Sequence, residues 1–245
     1  IILEKVSTYN QVGFFGAASK IPAVLYQIPG VIAAAFYPRL FAFGNEKNIE
    51  EHRKLSSFEL KLMSFLGMGI SIPFIADPSF WIVSLLGEKY APAGDALAIL
   101  AFMVILQSIN YPLADNLTTI GQQWKRATTM TIGLVVAIIG YIVLGSKYGM
   151  MGAAAAAILT EITLLIGFTL FIRKGMQLLV KGIIFNSLAF IISYGIYRIA
   201  LINLPPLVAL TLTGILYGII GVLIDPQIRG FVLGFIKQKL IRKHA

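Results

Sequence analysis

The sequence predicts an all-α integral membrane protein of about seven transmembrane helices, followed by a basic amphipathic C-terminal helix. Three observations predict it. Of 245 residues, 58% are hydrophobic and only 13% carry charge, about half the share usual in a soluble globular chain. The charges fall in clusters, leaving seven long stretches with at most one charge each. Finally, Lys and Arg crowd the alternate loops between those stretches, the pattern that orients membrane helices.

The uncharged runs define the elements in order. Residues 21–38 give 18 uncharged positions, 62–76 give 15, 96–114 give 19, 127–146 give 20, 182–197 give 16 and 199–224 give 26. Residues 148–172 give 25 with Glu161 as the one charge. Crossing the ~30 Å hydrocarbon core takes about 20 apolar residues. The shorter runs reach that length with flanking residues, because Lys61 and Lys181 have stems long enough to carry their charge to the interface. The expected spans are 12–41, 58–76, 96–116, 127–146, 148–172, 181–198 and 206–224. Gly44-Asn45 closes the first, Gly121 the third, and Pro205-Pro206 opens the last because proline cannot continue a helix. Between the second and third, Pro78, Gly87, Pro92 and Gly94 predict a broken or interfacial helix outside the bilayer. Residues 1–224 thus read as a transmembrane lobe and 225–245 as a tail. In the tail Ile228, Phe231, Val232, Phe235, Ile236 and Leu240 recur at helical spacing among basic residues, as in a helix lying on anionic headgroups.

Fifteen of the 20 Lys and Arg residues fall on one side of this scheme, against Lys5, Lys89, Lys147 and Arg198 on the other, with Lys20 inside the first span. The rule that basic loops stay inside places the C-terminus in the cytoplasm, and a multi-pass protein of the cytoplasmic membrane is expected. The net charge of +9 is therefore a topology signal and not a sign of a nucleic-acid partner.

Ionisable groups within spans are costly and mark functional candidates. Gly13, Gly16, Lys20, Ala23, Gln27, Gly30 and Ala34 are spaced by three and four, forming one stripe of the first span. Phe14, Ile21, Leu25, Ile28, Ile32 and Phe36 lie opposite. On this pattern the apolar face is expected to meet lipid, and the Lys20 face to meet other helices or a cavity. Lys20 and Gln27 are accordingly candidate substrate contacts, and Pro22 and Pro29 are expected to kink the helix. Glu161 lies 13 residues, or roughly 20 Å, from Tyr148, too deep to reach the interface. It must be protonated, hydrogen-bonded, paired with a cation or facing water. The functional reading makes it an ion-coupling site, and the structural reading a hydrogen bond between helices. Gln107, Asn110 and Ala114 share a face of the third span, with Pro112 and Asp115 close by. Asn110 is a candidate cavity residue and Asp115 a second ion-coupling candidate, although amides at such places often only join helices. No Gly-rich phosphate loop, paired acidic motif or metal-ligand cluster is present, so no enzyme activity, cofactor or metal is expected. Both histidines, His52 and His244, are assigned to polar loops.

Three segments carry a family resemblance. VGFFGAASKIPAVLYQIPGVIAAAFYPRL resembles the helix that opens the second lobe of polysaccharide and lipid-linked oligosaccharide flippases. LLGEKYAPAGDALAIL resembles the G-x-x-Y-x-x-A stretch of that family, and KYGMMGAAAAAILTE its Y-G-x-x-G-A-A…E signature, here Tyr148, Gly149, Gly152, Ala153, Ala154 and Glu161. The chain is thus similar to Wzx-like members of the multidrug/oligosaccharidyl-lipid/polysaccharide exporter superfamily. The resemblance implies two lobes around a central cavity and alternating access. It covers the C-terminal lobe alone, so this chain is expected to be a fragment partnered by a missing N-terminal lobe. It further implies an anionic lipid-linked oligosaccharide as partner, its diphosphate meeting Lys20, with membrane lipids around the lobe. A drug/cation antiporter of the same superfamily, where a cavity acid would dominate, and a non-transporting scaffold for glycan-synthesis enzymes are the alternatives.

Overall fold

The computed structural model describes residues 2–242, and the described residues form helices and the turns between them. A short α1 (Ile2–Val6) precedes a stretch of 37 residues, Tyr9–Asn45, made of α2 (Tyr9–Leu25) and α3 (Gln27–Asn45). The break at Tyr26 has a local cause. Pro29 has no N–H, so the Leu25 carbonyl loses the donor four residues on. Tyr26 N still donates to Pro22 O at 3.0 Å and Gly30 N to Tyr26 O at 3.3 Å, so the chain bends without unwinding.

α4 (Ile49–Ala76) begins at Asn48, whose Oδ1 accepts from Glu51 N at 3.3 Å. His52 corrects an expectation. It stands in α4, not in a polar loop, and is buried, with Nε2 2.7 Å from Thr119 Oγ1. His244 lies outside the described residues. The broken helix expected after the second span is α5 (Pro78–Leu86) and a 3-10 turn, Glu88–Ala93. Asp77 starts α5 by accepting Phe80 N at 3.0 Å, with Pro78 at the first position where a missing N–H costs nothing. Trp81 holds α5 to α4, donating from Nε1 to Pro73 O at 3.1 Å.

α6 (Gly94–Thr119) runs through the middle of the bundle. α7 (Gln123–Phe171) is 49 residues long and folds back on itself at Gly149 (φ 57°, ψ −130°). The facing pairs define an antiparallel hairpin: Thr129 with Gly167, Gly133 with Leu164, Gly140 with Ala156 and Leu144 with Gly152. A Cβ on Gly140 would stand 3.0 Å from that of Ala156, and one on Gly152 would collide with the Leu144 carbonyl. Small residues thus let the two arms touch along their length. Gln11 of α2 closes the tip, accepting Met150 N at 3.0 Å. α8 (Gly175–Ile196), a π turn at Tyr197–Leu201, α9 (Pro206–Ile224) and α10 (Pro226–Arg242) complete the chain. Among the described residues six helical stretches are long and apolar enough to cross a membrane, and the α7 stretch contains both arms of its hairpin.

One core joins α4, α6, the second arm of α7, α8 and α9 through Leu60, Ile72, Leu113, Phe168, Leu179 and Tyr217. Another joins α2, α5, α6 and α7 through Ala18, Ile21, Ile82, Leu97 and Ala154. The outer face of the first α7 arm, with Ile132, Val135, Ile139 and Val143, is exposed apolar surface suited to lipid. In the tail Ile228 is buried and the Phe231 ring lies 5.5 Å from that of Phe58, so the start of α10 packs on the lobe. The side chains of Phe235, Ile236 and Leu240 lie outside the described residues.

Candidate functional site

The bend at Tyr26 and the middle of α6 create the site. Tyr26 and Tyr111 stack with ring centroids 6.5 Å apart and planes 20° apart. Gly30 lies against the same ring, where a Cβ would stand 3.6 Å from Tyr111 Oη, an ordinary contact distance. Beside the stacked rings opens a cavity of about 280 Å³. Its polar lining is Gln107, Asn110, Arg126 and Glu161, and its apolar lining includes Met130, Leu164 and Phe168.

Glu161 is fixed between two amides of α6. Gln107 Nε2 donates to Oε1 at 2.9 Å, and Asn110 Nδ2 donates to Oε2 at 2.8 Å and to the Glu161 carbonyl at 3.0 Å. Gln107 and Asn110 are three residues apart, so both reach the same side of the second α7 arm. Among the described residues no Lys or Arg pairs with Glu161. Its carboxyl is held by amide dipoles at the edge of a polar cavity, where a cation or a substrate group could approach it. The acyl oxygens of Gln107 and Asn110 accept no hydrogen bond, leaving two further acceptors in the same place.

Asp115 does not line the cavity but pairs with Arg126, which does. Its Oδ1 is 3.4 Å from Arg126 Nη1, which also donates to Thr118 Oγ1 at 3.0 Å. Arg126 thus faces the cavity with one carboxylate already beside it. The candidates therefore separate into two groups. Asn110 and Glu161 meet directly, and Asp115 is linked to their cavity by its pairing with Arg126.

Lys20 and Gln27 lie elsewhere. Both are exposed, as are Gly13, Ala23, Val24 and Val31 on the same side of the kinked helix. No described residue pairs with Lys20, and Gln27 donates only to Ala23 O at 3.4 Å. Opposite them, Phe14, Ile21 and Leu25 pack into the lobe's own core. Within the lobe, then, the apolar side of α2 is covered and its Lys20 side is not, whereas in α3 Ile28 is exposed and Gly30 lies against Tyr111.

Sequence reasoning missed Glu59. It is 0% exposed in α4, and neither carboxyl oxygen has a hydrogen-bond partner among the described residues. Below it on the α4–α6 seam, Asn116 donates to Ser56 Oγ at 2.9 Å and His52 meets Thr119. The signal was available, since Glu59 falls inside the expected span 58–76. Its proximity to Lys61 made it look like part of a charged boundary. Tyr26, Tyr111 and Arg126 were missed because neither aromatic rings near an interface nor a basic loop residue points to a cavity.

No family model matches the chain, and no curated protein matches it. A solved structure of the lipid II flippase MurJ in its inward closed conformation matches 87% of this chain with a TM-score of 0.63 and 18% identity. The chain shares the fold of part of that transporter. It spans 47% of the transporter's length, about half.

Proposed function

We propose that this chain is one lobe of a lipid-linked oligosaccharide flippase of the multidrug/oligosaccharidyl-lipid/polysaccharide exporter superfamily. The lobe lies in the cytoplasmic membrane with its C-terminus inside, and works with an N-terminal lobe to carry a polyprenyl-diphosphate-linked oligosaccharide across by alternating access. One observation carries this reading. The lobe covers the apolar side of α2 and leaves open the side carrying Lys20, a cation with no partner among the described residues. A second lobe closing over that face would bring Lys20 to a shared cavity, where a diphosphate is attracted more strongly than in bulk water. The likeness to half of a lipid II flippase supports the same arrangement. Glu161, close to the bend, is the group that couples a cation to the switch between inward- and outward-open states. A drug/cation antiporter would draw on Glu161 in the same place but would be hindered by Lys20.

Glycan export in cells carrying the full-length parent tests the reading, with membrane abundance measured in parallel. Lys20→Ala is expected to lower export by more than tenfold, since a charge-assisted contact of ~1.5–3 kcal/mol is lost. Lys20→Arg should keep part of the activity and Lys20→Glu the least. Undiminished export by both Lys20→Ala and Lys20→Glu at equal abundance would remove Lys20 from the transport path.

Orientation is tested separately, on a sequence with no cysteine of its own. Asn48, Gln123 and Ser146 are all exposed. Cysteines at Asn48 and Gln123 should resist an impermeant thiol reagent in intact cells, whereas one at Ser146 should react. The opposite labelling pattern inverts the topology.

A further inference from the structure

At the end of the bundle where α4 and α8 begin, the two helices run side by side in the same direction. Arg53 Nη2 donates to Arg173 O at 3.2 Å, and further along Ser64 Oγ donates to Gly182 O at 2.8 Å. Gly182 permits this approach, because a Cβ there would stand 2.6 Å from the Leu60 side chain. The outer side of the seam is a groove of about 590 Å³.

The charges of this groove do not balance. Lys61 is committed to Asp225, 3.0 Å away, and Lys54 to Glu50 and Glu51, at 3.1 and 2.8 Å. Arg53 has a backbone carbonyl but no acid, and Lys174 and Lys181 have no partner among the described residues. Among the described residues no Asp or Glu lines the groove. Three cations are therefore uncompensated around one concave surface. Lys174 and Lys181 are seven residues apart, about 10 Å along the helix.

The surface continues in a second, different chemistry. From Lys181 the same face of α8 runs through Ile184, Phe185, Leu188 and Ile192, spaced at three, four, seven and eleven residues. All four side chains are exposed and apolar. A cationic mouth leading into an apolar track of two to three turns matches one kind of molecule, a phosphate headgroup with acyl chains below it. Basic pockets between membrane helices are known to hold such headgroups.

We propose that the α4–α8 groove is a binding site for an anionic glycerophospholipid, whose phosphate lies among Arg53, Lys174 and Lys181 and whose acyl chain follows Ile184 and Leu188. The site belongs to a resident membrane lipid, separate from the cavity beside Glu161, and it stands whether or not the flippase reading does.

The test uses the full-length parent purified in mild detergent, with phosphatidylglycerol, phosphatidylcholine and a polyprenyl diphosphate as probes in native mass spectrometry. Phosphatidylglycerol is expected to stay bound at least about tenfold more than phosphatidylcholine. That preference should shrink at high salt, as contacts between exposed charges do. Lys174→Gln with Lys181→Gln should bring the two lipids to within about twofold, while Lys181→Arg, which keeps the charge, should retain the preference. All substitutions are at exposed positions outside both cores. Equal retention of the two phospholipids by the unaltered protein overturns the proposal, as does an unchanged preference in the double variant. Retention of the polyprenyl diphosphate alone also overturns it, since the groove would then serve the cargo.

Discussion

Glu161→Lys is expected to prevent accumulation of folded protein, while Glu161→Gln is expected to fold. The carboxyl accepts N–H groups from Gln107 and Asn110 at 2.9 and 2.8 Å, and so ties α6 to the second arm of α7. A glutamine keeps an acceptor for one of these amides and brings no charge. A lysine brings only donors to a place where two amide donors already point, and its ammonium has no acid to pair with. Leaving an uncompensated charge at a buried site costs about 3–5 kcal/mol, a large part of the ~5–15 kcal/mol that holds a domain together. Thermal unfolding in detergent, read beside expression, checks this. Equal midpoints for the two variants would mean that water reaches the carboxyl freely. If Glu161 couples a cation to transport, Glu161→Gln should remain folded yet lose export.

Asp225→Ala is expected to destabilise the lobe by about as much, ~3–5 kcal/mol. Asp225 is 0% exposed and joins three segments at once. It pairs with Lys61 of α4 at 3.0 Å and accepts Gln227 N and Ile228 N at 2.8 and 3.3 Å, starting α10 directly after α9. Alanine removes the cap, worth ~1 kcal/mol, and strands the Lys61 ammonium, whose Nζ stands 5.6 Å from the centre of the Phe185 ring. The larger part of the cost is the stranded charge, which makes a second variant informative. Lys61→Met combined with Asp225→Ala leaves no charge behind and should recover more than half of the lost stability. A double variant no more stable than Asp225→Ala would show that the cap, and not the ion pair, is what matters.

The two sides of α2 differ, but which of them the lobe covers was not legible in the sequence. In water an apolar stripe identifies the buried side. In a bilayer both lipid and neighbouring helices are apolar, so periodicity marks two faces without saying which one is covered. The lobe covers Ile21 and Leu25, and the Lys20 side is left open. His52 shows a related effect. A histidine four residues after a helix cap looks like a loop residue until Thr119, 67 positions later, arrives to accept or donate a hydrogen bond.

Local physics acting on the sequence determined the membrane class, the breaks at Tyr26 and Asp77, and the grouping of basic loops. Each depends on properties that a segment carries by itself: the cost of charge in hydrocarbon, the missing N–H of proline, and helix length against bilayer thickness. Only the tertiary structure decided that Glu161 meets Gln107 and Asn110, that Arg126 turns toward Asp115, and that Glu59 is enclosed without a partner. It also decided that three cations on α4 and α8 converge on one groove. These are encounters between residues 11 to 128 positions apart. Spacing along one helix fixes which of its side chains share a face, but which helix that face will meet depends on how the whole bundle packs.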